Sequence, residues 1–205
     1  MSGERDATAD SFTALGPDAP TILPGWDARE LLEHLLVRES FPQLMLGASL
    51  PGGPGRRAAA ARDRVGALPW EEQVSLLRGG PPRWSPVGGV DRLSGDAELL
   101  IHHEDLRRGQ PGWQARRLPE EVRSQAWRAT RLFARVMLRL PVDVTLVSPL
   151  GGAQRRSRRS EGAVRVSGEP MELLLWVSGR ERVAEVRVEG DPGALARLEE
   201  AARRM

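Results

Sequence analysis

Apolar residues over the first 140 positions recur every three or four residues, the spacing of amphipathic helices, and beyond that point the period falls to two. Residues 4–15 form a short helical pattern that stops at Gly16-Pro17. After the loop PDAPTILPG, Asp27 stands where its carboxylate can cap the next helix. Leu31, Leu32, Leu35 and Leu36 then mark the apolar stripe of a helix over 28–39. Two shorter helices are predicted over 56–68 and 70–78, and a Pro/Gly-rich loop at 79–89 ends the second of them. A helix from Asp91 or Ser94 to Arg108 comes next, then a long one over 119–140 with proline at its first turn.

The segments VDVTLVS, GAVRVSG and VAEVRVEG alternate apolar and polar residues as half-buried strands do. EPMELLLWVSGR between them reads as a helix, and DPGALARLEEAARRM as a C-terminal helix capped by Asp191. The fold class expected is therefore α plus α+β. A helical bundle over 1–140 is followed by a small α+β domain over 141–205, and both sizes are ordinary for domains.

Composition narrows the chemistry. All 30 basic side chains are arginine, so a pI near 10.5 coexists with a formal charge of only +2 and says little about a polyanion partner. There is no cysteine, which excludes disulfides and thiolate metal ligands; any thiol chemistry needs a thiol from a small molecule. The first ten residues lack the basic start and apolar run of a signal peptide, and no stretch approaches the roughly 20 apolar residues of a membrane span. A cytoplasmic protein without membrane partners is expected.

The three histidines carry the most information. On a wheel at about 100° per residue, Asp91, Glu98, His102 and Asp105 share one stripe, flanked by Leu99 and Leu106 on one side and Ile101 on the other. Leu100, His103, Glu104 and Arg107 lie opposite, on the side expected to meet water, with His103 as an exposed neighbour rather than a ligand. Carboxylates and imidazoles on a buried stripe must be paired, protonated or metal-bound. Glu98 and His102 project from adjacent turns and can reach one ion together. His34, beside Leu31 and Leu35 at the margin of its helix's apolar face, can supply a second nitrogen. Two imidazoles, one carboxylate and an open position suit catalytic zinc, although ligand type alone also admits nickel, iron or manganese. Asp105 is the acceptor for the other N–H of an imidazole. A helical ion pair with no metal is the competing explanation of the same residues.

GPDAPT at 16–21, GWDARELLEHLLVRE at 25–39 and AELLIHHEDLRR at 97–108 resemble an actinobacterial family of metal-binding proteins related to mycothiol-dependent maleylpyruvate isomerase and to DinB-like helical bundles. The family pattern has a tryptophan before the second helix, a histidine eight residues later, and a Glu-x-x-x-His pair with a trailing aspartate. Trp26, His34, Glu98, His102 and Asp105 match it. GEPMELLLWVSGR at 168–180 and VRVEGDPGALARL resemble the sterol-carrier-like tail of the isomerase relatives. The resemblance implies a DinB-like four-helix-type bundle with His34, Glu98 and His102 as metal ligands. It also implies mycothiol whose sulfur is ionised at the open metal position, and isomerisation or S-transfer on a small electrophile. No further motif selects a substrate. A non-enzymatic sensor or partner-binding protein, with the metal stabilising the bundle, is the alternative from a different class.

The remaining features have plainer readings. QRRSRR at 154–159 could meet phosphate or nucleic acid, but it lacks interleaved aromatics and reads better as a charged edge strand or hairpin. Nucleic acid is not an expected partner. Arg180 is a weak candidate for contact with an anionic thiol or substrate, and a stronger one for satisfying helix-end carbonyls. Trp84, in a loop ahead of the helix that carries Glu98, could wall a pocket. Gly88-Gly89 follow no strand and make no phosphate-binding fingerprint.

Overall fold

Helix α1 (Ser2–Leu15) ends where Gly16 takes a left-handed φ of 81° and its N–H bonds the Phe12 carbonyl at 3.0 Å, a conformation that costs glycine nothing. The structure, a computed structural model, describes residues 2–40, 53–81, 97–158 and 160–202. They divide between two units, Met1–Gln114 and Ala115–Met205.

The first unit holds α1, α2 (Ala28–Ser40), α3 (Gly53–Gly66), α4 (Trp70–Gly79) and α5 (Ala97–Arg107). Asp27 starts α2 as expected and does more: its Oδ1 accepts the Glu30 N–H at 3.0 Å while Glu30 Oε2 accepts the Asp27 N–H at 2.9 Å, a reciprocal capping box. The cap fixes where α2 begins and so which residues face inward. Leu31, Leu32, Leu35 and Leu36 pack with Ala9 and Phe12 of α1, Val74 and Leu77 of α4, and Leu99 and Leu106 of α5.

The loop from Gly16 to Asp27 is tied to the end of α5. The Ile22 N–H bonds the Asp105 carbonyl at 3.0 Å, and Gln110 Nε2 donates to the Pro20 carbonyl at 2.8 Å. Gly109 lies so close to the Pro20-Thr21 backbone that a Cβ there would collide with it. Thr21 Oγ1 donates to the Trp26 carbonyl at 2.8 Å, which holds Trp26 at the foot of α2.

One expectation for α5 is corrected. The helical wheel assigns Leu100, His103 and Glu104 to a water-facing side, yet every residue from Leu99 to Leu106 is buried, and His103 is only 2% exposed. The helix sits inside the bundle, with α1 covering the side that reads as polar. His103 Nδ1 lies 2.7 Å from Glu4 Oε1 and its Nε2 lies 2.8 Å from Ser11 Oγ. Glu104 accepts from Arg108 Nε at 2.7 Å and from Arg107. These polar groups are buried because they are paired, not because they are apolar.

The second unit contains α6 (Glu120–Val136), β1 (Asp143–Ser148), β2 (Gly151–Arg155), β3 (Ala163–Ser167), α7 (Pro170–Val177), β4 (Arg187–Gly190) and α8 (Pro192–Ala202). The division falls ahead of α6, whereas the periodicity places it at residue 140. Within this unit α6 packs against α7. Thr130 Oγ1 is shared between the carbonyls of Ala126 and Pro170, 2.8 and 3.3 Å away. The helix also stops at Val136, four residues early, where the chain turns to bury Leu138 and Pro141 disfavours a helical Leu140.

The sheet order is β2-β1-β3-β4, with β1 antiparallel to β2, parallel to β3, and β3 antiparallel to β4. Val144, Leu146, Val164 and Val166 fill its inner face. Arg155 lies on the edge strand β2, as its charge suggests, and β4 is shorter than its alternation because Val183 and Ala184 turn back to bond the Arg180 carbonyl. The described chain is thus mixed α and β, and no described helix is long and apolar enough to cross a membrane. Trp84, Gly88-Gly89 and Asp91 lie outside the described residues.

Candidate metal centre

Two helices build the site. The capped start of α2 sets its rotation, so that His34, one and a half turns in, leaves the leucine stripe at its edge and is half-buried. On α5 the four-residue spacing stacks Glu98 and His102 on one side of the helix. His34, Glu98 and His102 each offer one ligand atom, and these atoms all lie within 4.8 Å of one another. The two imidazoles meet edge to face with ring centres 5.1 Å apart, and Trp26 packs in the same manner on His34 at 5.2 Å.

Each ring nitrogen of His102 has a separate partner. Nδ1 lies 2.8 Å from Asp105 Oδ2, which is wholly buried, and Nε2 lies 3.4 Å from Glu98 Oε2. Asp105 therefore stands behind His102 rather than among the converging ligand atoms. Arg38 Nε approaches Glu98 Oε2 at 3.8 Å. Sequence reasoning missed Arg38, although its place one turn after His34 was a signal that could have found it.

The electrostatics separate the three groups. Burial, and then the neighbouring His102, push the His34 imidazole down to about 4, so at neutral pH it is uncharged and carries a free lone pair. The hydrogen bond from His102 holds Glu98 down at about 2 against the effect of burial, with Arg38 adding to it, so Glu98 is a carboxylate. Burial alone would lower His102, but its bonds to Asp105 and Glu98 overcome that and raise it. The two flanking carboxylates thus favour the protonated form of His102.

This donor set could hold a metal ion. Two nitrogens and one oxygen converge; the Nδ1–H of His102 is held by Asp105, which leaves Nε2 to coordinate once its proton departs. Among the described residues the group has three members. Arg180, in the second unit, donates to the Ser178 carbonyl at 2.7 Å, a contact at the end of its helix.

No protein-family model matches the chain, and no curated protein matches its sequence. Two solved structures match its fold: a mycothiol-dependent maleylpyruvate isomerase, at TM-score 0.54, and a variant of that enzyme with one histidine replaced by alanine, at 0.55. Each is 15% identical, and each alignment covers 94% of this chain and 92% of the other. At that identity the likeness is one of fold, and over nearly its whole length this chain is folded like mycothiol-dependent maleylpyruvate isomerase.

Proposed function

We propose that this protein binds a divalent metal ion, zinc before others, through His34, Glu98 and His102, and works in the cytoplasm as a mycothiol-dependent metalloenzyme of the isomerase or S-transferase type on a small electrophile. The observation that carries the reading is the convergence of the three ligand atoms from α2 and α5, segments more than 60 residues apart, within 4.8 Å. The likeness in fold to an enzyme whose name includes mycothiol supports the thiol, and a chain without cysteine needs one from outside. We read the two units as a DinB-like bundle and a sterol-carrier-like tail.

The residues divide the work. His34 and His102 present nitrogens, Glu98 supplies the negative charge that favours a divalent cation, and Asp105 fixes the ring of His102. Trp26 shields the outer side of His34 from water. A bound metal would acidify a thiol or water at its free position and so provide a nucleophile at neutral pH.

The ion-pair reading keeps one observation of its own, Arg38 beside Glu98, since a cation at a carboxylate is what a metal-free network would show. Elemental analysis of the purified protein separates the two. Stoichiometric metal in the wild type, lost in both His34→Ala and Glu98→Ala, is expected; a metal content unaffected by either substitution would rule the assignment out. Mycothiol binding that requires the metal distinguishes the enzyme from a metal-stabilised sensor or partner-binding protein.

A further inference from the structure

The basic run after β2 has no part in the metal centre. In the second unit it borders a pocket of about 290 Å³ whose wall carries Arg139, Arg155, Arg156 and Arg158 and no acidic residue. The nearby acids have other partners: Asp143 Oδ1 accepts the N–H of Ser157, a residue of the pocket wall, at 2.7 Å, and Glu161 pairs with Arg197. Among the described residues, none of the four arginines has a carboxylate partner. Arg155 donates through Nη1 to the Arg156 carbonyl at 2.7 Å, while its Nε–H is buried with no acceptor.

Four like charges around one recess repel each other, and a buried N–H without an acceptor is costly. An anion seated among them relieves both. The guanidinium fork matches the oxygens of phosphate in a way a point charge does not. The floor is aliphatic, with Val142 and Val144 buried, and no aromatic ring lines the pocket to stack a base. That favours a compact anion over a polynucleotide. We infer that the pocket walled by Arg139, Arg155, Arg156 and Arg158 binds a small phosphate-bearing ligand, a site separate from the metal centre.

Calorimetric titration of the full chain with inorganic pyrophosphate tests this. Saturable one-to-one binding is expected, weakened about tenfold or more by Arg155→Gln and likewise by Arg158→Gln. Arg158 is exposed, so its variant folds independently of any packing loss at Arg155. Arg131→Gln, on the exposed side of α6, should leave binding unchanged. His34→Ala protein should bind pyrophosphate as tightly as the wild type, which separates the pocket from coordination to a metal. Absence of saturable binding, equal weakening by Arg131→Gln, or loss of binding in His34→Ala would each overturn the inference. So would tight binding of duplex DNA that pyrophosphate fails to displace, which would give the arginines to nucleic acid.

Discussion

Replacing Asp105 by asparagine probes the metal centre without touching a ligand. Asp105 Oδ2 lies 2.8 Å from His102 Nδ1 and is fully buried, so no water can take its place. Asparagine keeps the shape, but its amide can turn its NH₂ toward Nδ1, which then becomes an acceptor and moves the ring proton to Nε2, the nitrogen needed for coordination. Loss of such an outer partner weakens metal binding by about 10- to 100-fold, which corresponds to about 1.4–2.7 kcal/mol. The proton count should change as well. Asp105 is one of the two carboxylates that raise His102, so the wild type should give up a proton when a metal takes Nε2, and its zinc affinity should fall as pH drops. With Asp105→Asn the imidazolium is less favoured and fewer protons are released. Zinc competition against a chromophoric chelator measures the affinity, and calorimetry in buffers of different ionisation enthalpy measures the protons. An Asp105→Asn protein with wild-type affinity and wild-type proton release would refute the role given to this carboxylate.

The same geometry sets other outcomes. In the metal-free protein, NMR titration of the ring protons should place His34 near 4 and His102 above the ordinary histidine value of about 6.5. The two act on stability with opposite sign. Stability from His102 is present below the unfolded value and fades as pH rises through its raised folded value, whereas the depressed His34 makes the fold lose stability as pH falls from about 6.5 towards 4. Coincident titration of the two rings would contradict this. Asp27→Ala removes half of the capping box and should cost about 1 kcal/mol in chemical denaturation. Glu104→Ala takes away the carboxylate that buried Arg108 and its neighbour Arg107 share, and should cost about 3–5 kcal/mol, far more than a surface pair. Gly109→Ala forces the Pro20-Thr21 backbone aside, so zinc affinity should fall even though no ligand is changed, because the displaced loop carries Trp26.

The local elements were legible because their causes are local. Asp27 and Glu30 meet across three residues, Gly16 punctuates α1, and the alternation of 142–148 arises from one strand's own pleat, so each could be read without knowing its neighbours. The pairing of Glu98 with His102, and the place of Asp105 behind it, were likewise set by helical spacing on one element. Features beyond the reach of the sequence depend on which surfaces meet. The wheel of α5 treats His103 and Glu104 as a wet face because hydrophobic patterning cannot see a partner. Glu4 and Ser11, about 90 residues earlier, supply that partner for His103, and paired polar groups are buried as readily as leucines. Helix α6 looks continuous with the bundle because helices carry the same period wherever they pack, and only its contact with α7 assigns it to the second unit. The four arginines around one pocket also needed the fold: three come from the run at the end of β2, but Arg139 reaches them from beyond the end of α6, and no spacing rule joins positions so far apart. Short-range geometry wrote the pieces, and long-range packing decided which charges had to share a space.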